Sequence, residues 1–231
     1  MQKKDTLLAK DVEKYLLCTT FRALETPIYY IMTFTETVIP VFRRAISDYH
    51  RYDDVDHPMS NPYTRAWSTF YKKCWIDTVQ WHLEDLIRDP EIDPVAALEL
   101  KRRIDRSNQE RTDIVEQIDD IFRDRFDNVE PRPDATLNTE SPGWAVDRLS
   151  ILQLKLWHMG EQCSRKDVSP ERHAEFIAKY EVLEEQHRDL CTSIDQLLTD
   201  IEQGVKWMKV YRQMKLYNDP TTNPVIYGKR K

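Results

Sequence analysis

Glycine is scarce in this chain, with four among 231 residues. Dinucleotide-binding turns and phosphate-cradling loops need glycines at fixed spacing, and neither G-x-G-x-x-G nor G-x-x-x-x-G-K occurs. Cysteine is equally scarce. Cys18, Cys74, Cys163 and Cys191 lie far apart with no C-x-x-C pair, which excludes the usual thiolate zinc site and a disulfide frame and fits free thiols in a reducing cytoplasm. Long apolar runs are missing: no stretch reaches the roughly eighteen residues of a membrane span. The most apolar N-terminal segment, residues 15–32, is broken by Arg22 and Glu25 and lacks a cleavage-type ending, which argues against a signal peptide. Excess positive charge is also absent. The net charge is -6 with a pI near 5.6, which argues against nucleic acid and anionic membranes as partners. There is no internal repeat, no period-2 alternation that would mark a sheet, and no serine-nucleophile elbow.

What remains is helix. The pattern predicts an all-α fold, an elongated multi-helix bundle around a buried central helix, with 32% charged residues covering its outside. Residues 1–31, with one helix over 7–24 and a break at Thr26-Pro27, are expected to be an extension outside the domain. Residues 32–217 are expected to form the bundle, and 218–231 a mobile tail. Thr33-Phe34-Thr35-Glu36 is a capping box that opens a first helix ending near Tyr52. A second helix, over about 63–88, stops at Asp89-Pro90. It buries Trp75, Ile76, Val79, Leu83 and Leu86, with His82 at the edge of that face. A third begins at Pro94 with Asp93 as its N-cap and runs to about Phe126. The fourth, opened by Ser141-Pro142 and apolar on nearly every side, is the central one. A last helix starts at Ser169-Pro170 and is expected to reach Leu216, with Gly204 as a kink.

Polar residues intrude on these apolar seams. Asn108 and Arg111 interrupt the stripe Ala97, Leu100, Ile104, Val115, Ile118 and Phe122. Arg148 falls within the stripe of Ala145, Leu149, Leu152, Leu156 and Met159, with Lys155 in the same helix. His187 interrupts the last helix, and His82 completes the set. A guanidinium buried without a counter-charge costs several kcal/mol. Either acids such as Glu140, Asp147, Asp77 and Asp113 reach these arginines to form an ionic network, or a small anionic ligand takes their place. Asn138, Thr139 and Glu140 stand before the central helix, whose N-terminal N–H groups favour an anion, and Gly143 permits close approach. Glu140 and His187 are the candidates for acid or base chemistry. Asp113, Glu116 and Asp119 read as an exposed acidic face. Glu184-x-x-His187 has di-metal spacing but no second copy in the chain, so neither a metal nor another cofactor is expected.

The strings WIDTVQWHLEDLIRDPEIDP, LKRRIDRSNQERTDIVEQID, LNTESPGWAVDRLSILQLKLWHM and KVYRQMKLYNDPTTNPVIY, between about Met32 and Tyr227, resemble the bacterial family called domain of unknown function 4254. The resemblance implies a small, mostly helical, cytosolic bacterial protein and carries no catalytic residues with it. Two functions follow from the residues. One is a pocket within the bundle lined by Asn108, Arg111, Arg148, His187 and Glu140, which binds, or binds and turns over, a small anionic metabolite. The other is an assembly protein in which the same polar groups only lock the core.

Overall fold

The computed structural model describes residues 32–214, 216 and 219–228. The expected N-terminal extension and its helix lie outside the described residues. Among the described residues six helices follow in order: α1 Phe34–Tyr49, α2 Arg65–Leu86, α3 Pro94–Arg125, α4 Pro142–Cys163, α5 Pro170–Glu202 and the single turn α6 Pro224–Tyr227. Two short strands, β1 Thr136–Leu137 and β2 Lys206–Trp207, pair in parallel with Thr136 opposite Lys206. Among the described residues, no helix is long and apolar enough to cross a membrane.

Helix starts follow local chemistry. Thr33 and Glu36 form the full capping box, with Thr33 N–H donating to Glu36 Oε2 at 2.8 Å and Glu36 N–H to Thr33 Oγ1 at 3.3 Å. Asp93 accepts from the N–H groups of Val95 and Ala96, at 2.9 and 3.0 Å. Ser169 caps α5 through Arg172 N–H.

The central helix is α4, which touches α1, α2, α3 and α5. Val146, Leu149 and Leu154 on it are essentially inaccessible. Each such side chain contributes about 1.5–3 kcal/mol by leaving water. At one end of the bundle, Phe34 packs edge-on against both Phe70 and Phe122, at 5.6 and 5.3 Å between ring centres, tying α1 to α2 and α3.

The last helix departs from expectation. It ends at Glu202, and Gly204 terminates it where a kink was expected. Gly204 has φ +69°, Val205 N–H donates to Asp200 O at 2.8 Å and Gly204 N–H to Ile201 O at 3.0 Å. Both hydrogen bonds of a left-handed glycine cap are therefore present, and Val205 and Met208, within the span expected to be helical, lie beyond it. The released chain runs beside β1, where Thr136 N–H meets Val205 O and Asn138 N–H meets Trp207 O. Two residues per strand are too few to leave an alternating pattern in sequence. Further on, Arg212 grips Asp120 through both carboxylate oxygens, at 2.8 and 2.9 Å, fastening the segment to α3. Within the expected tail, the described residues carry α6, capped by Asn223.

Candidate functional site

The residues singled out in sequence do not share one pocket. Arg148, expected inside, has its side chain 64% exposed at the rim between α4 and α5, where it meets Glu140 at 2.7 Å. A helical wheel gives the direction of a Cα, whereas a long side chain at the edge of a stripe turns toward water. Lys155 is also exposed, and Thr139 stands in solvent. Asn138 donates to the Glu140 carbonyl at 2.6 Å and, with Glu140, Arg148 and Lys206, lines a small pocket of about 200 Å³. Asn108 accepts from Gln80 at 2.7 Å. His187 is half-buried near Cys191, its Nε2 3.6 Å from the thiol, and burial depresses its pKa.

The N-terminus of α4 already has its anion. Asp119, expected on an exposed face, is buried on α3, where its carboxylate accepts from Gly143 N–H at 2.7 Å and from the Ser141 hydroxyl at 2.6 Å. Gly143 does permit a close approach, but of this internal carboxylate: a Cβ there would lie 2.5 Å from Asp119 Oδ1. Ser141 therefore caps nothing with its own side chain. Burial raises the Asp119 pKa against the pull of these two bonds.

A buried cation stands where helical periodicity gave no sign of one. Lys73 on α2 is fully enclosed, paired with Asp77 one turn on and with Asp147 of α4 at 2.9 Å. Arg111 of α3 closes the set, 3.2 Å from Asp77 Oδ1 and 2.5 Å from Asp147 Oδ2, and the Ser150 hydroxyl donates to Asp77 at 2.6 Å. Two cations thus face two carboxylates, so the ionic-network alternative describes Arg111, with no counter-charge missing. Burial pushes the Asp77 carboxyl up while the Lys73 ammonium pulls it down. Burial also pushes the neighbouring Cys74 thiol up to about 12, leaving it protonated and inert.

A second polar cluster has the opposite construction. His50 at the C-terminus of α1, His82 on α2 and His158 on α4 converge, with one ring nitrogen from each lying within 4.8 Å of the others. His50 Nδ1 lies 2.8 Å from the Ile46 carbonyl, which can only accept, so Nδ1 carries the proton and Nε2 the lone pair. His158 Nδ1 donates to Glu161 at 2.9 Å in the same way, and its Nε2 is buried without a hydrogen-bond partner. The Nε2 atoms of His50 and His82 are 3.3 Å apart. Each ring rests on an aromatic shelf: His82 on Tyr49 at 4.8 Å and 17°, His158 on Trp81 at 4.8 Å and 11°, and His50 against Trp157 at 4.9 Å and 30°. Glu161 also accepts from the Trp157 indole at 3.1 Å, so one carboxylate steadies two of these rings. Burial, then the neighbouring His50 and His158, lowers the His82 pKa and favours the neutral imidazole.

The centre borders a cleft of about 780 Å³ lined by Asp53, Asp54, Asp85, Asp89 and Glu161, among others. Of its three histidines the sequence reading noted only His82. His50 caps the end of α1 and His158 lies in the latter half of α4, far apart in the chain, and no spacing links them. The visible trace is local: Glu161 stands three residues after His158, within reach of its ring.

A family model described as "Protein of unknown function (DUF4254)" matches residues 67–210, a stretch that includes Lys73, Asp77, His82, Arg111, Asp147 and His158, whereas His50 precedes it. No curated protein and no solved structure matches the chain.

Proposed function

Since the chain belongs to a family described only as of unknown function, its chemistry must be read from its own side chains, and we propose that His50, His82 and His158 hold a divalent transition-metal ion of the zinc type. The observation that carries this reading is the convergence of three imidazole nitrogens, with the opposite ring nitrogens of His50 and His158 already bonded. A tetrahedral ion with metal–nitrogen distances of about 2.0–2.1 Å separates its ligand nitrogens by about 3.3–3.4 Å. The His50–His82 separation of 3.3 Å has that value. The Ile46 carbonyl and the Glu161 carboxylate then act as outer supports, holding His50 and His158 in the tautomer a metal needs.

Three protein ligands leave a fourth position. An ion held this way is a Lewis acid that brings the pKa of a bound water toward 7. With the adjoining cleft to admit a small molecule, the reading is a metal-dependent enzyme that acts through activated water.

The small anionic metabolite expected from sequence is the second reading, favoured by the grouping of Asn138, Glu140, Arg148 and Lys206 around one pocket. Its cations are already answered, Arg148 by Glu140 at 2.7 Å and Lys206 by Asp200 at 3.2 Å. The histidine centre, with a buried nitrogen left unpartnered, is the stronger candidate.

Calorimetric titration of chelator-treated protein with zinc, and with cobalt read by its visible spectrum, tests the metal reading. The expectation is one ion per chain, a tetrahedral cobalt spectrum, and affinity lowered on the order of 100-fold by His50→Ala, His82→Ala or His158→Ala. Uptake that is absent, or unchanged in all three variants, overturns the reading.

A further inference from the structure

The surroundings of the histidine centre select by charge and by polarity, and two unlike spaces meet there. The acid-walled cleft carries five carboxylates, Asp53, Asp54, Asp85, Asp89 and Glu161, and a single guanidinium, Arg88, which lies just past the end of α2 and is turned back to Glu84 on that helix. The Asp53 and Asp85 side chains answer no cation among the described residues. On the other side lies a chiefly apolar groove of about 770 Å³ between α4 and α5, walled by Trp81, Met159, Ala178, Val182 and Leu183. Lys155 and Lys179 line it as exposed residues that keep their ammonium groups in water and offer the groove aliphatic stems. Asp85 and His158 belong to the walls of both spaces. A molecule seated at the centre therefore meets negative charge on one side and apolar surface on the other.

We infer that the ligand received at this centre is a small organic cation, a primary amine joined to an apolar body, with its ammonium in the acid-walled cleft and its apolar part in the groove. The inference rests on the metal reading, because the two spaces meet at a proposed ligand of the ion. Clustered carboxylates beside low-dielectric walls concentrate cations and repel anions. A ligand with a carboxylate or phosphate in place of the ammonium would have to face five acids, which outnumber the two positive charges of the proposed ion. Asp85, at the junction, stands three residues after His82 on α2, and Asp53 lies on the loop after α1.

The test uses zinc-loaded full-length protein and three probes of equal chain length, hexylamine, hexanol and hexanoate, with ethylamine as a short control, all near pH 7 where the amines are charged. Calorimetry or ligand-observed NMR is expected to show hexylamine binding at least about tenfold more tightly than hexanol and than ethylamine. Asp53→Asn and Asp85→Asn should each erase most of the preference over hexanol, while zinc titration of the same variants shows the ion still bound. Hexanol matching hexylamine, or hexanoate exceeding it, overturns the inference while leaving the metal centre standing. Failure of zinc to bind at all overturns the metal reading and this inference together.

Discussion

Two polar clusters meet α4 about three turns apart, and they are closed in different ways. Around Asp147, the Lys73, Arg111 and Asp77 side chains answer one another in charge, and the Ser150 hydroxyl adds a second donor to the Asp77 oxygen that Lys73 holds. Around His158 the polar groups are like in kind: three imidazole nitrogens converge, and the buried His158 Nε2 has no hydrogen-bond partner. A core tolerates charge when it is balanced on the spot, as in the first cluster. Neutral donors gathered without an acceptor's partner make sense when something else is to be bound, as in the second. Buried polarity alone did not distinguish them, and both clusters hold buried atoms without an aligned hydrogen bond; the balance of charge did.

The contrast sets the size of the expected mutational effects. Lys73→Met should be the most damaging, because it leaves two buried carboxylates facing Arg111 alone; a loss of about 3–5 kcal/mol in denaturant unfolding is expected. A loss below about 1 kcal/mol would show that the first cluster is not closed in the way described. Gly143→Ala should cost about 1–3 kcal/mol in the same measurement, since its Cβ would press on Asp119 and on the Val115 carbonyl, 2.8 Å away. A neutral result there would mean α4 can shift away from α3.

Smaller effects sharpen the second half of the comparison. Glu161→Gln should leave unfolding nearly unchanged yet weaken zinc binding about 10- to 100-fold, by loosening the His158 ring. Equal zinc affinity in that variant would remove Glu161 from the centre's support. Arg148→Met should matter least, by less than about 0.5 kcal/mol in thermal or denaturant melts, because its bond to Glu140 is largely exposed. A collapse of folding in Arg148→Met would restore the interior role that its place in the sequence suggested.

Local chemistry was enough to set where helices begin, because caps are made by residues a few positions apart: Thr33 with Glu36, Asp93 with Val95, Ser169 with Arg172. Periodicity was enough to mark α4 as the central helix. It also marked Arg111 as a polar residue on an apolar face, and the acids Asp77 and Asp147 were within the set expected to reach it. The stop at Gly204 was visible as a glycine but not as an end, since a kink and a left-handed cap use the same residue. Lys73 was legible only as a lysine four residues before an aspartate. Asp119 looked exposed until Gly143 brought the start of α4 against it. Least legible was the histidine centre, assembled from the end of α1, the middle of α2 and the latter half of α4. Short-range patterns record which way a residue points along its own helix; which helix ends meet, and whether a polar atom finds its partner there, is decided only when the helices pack.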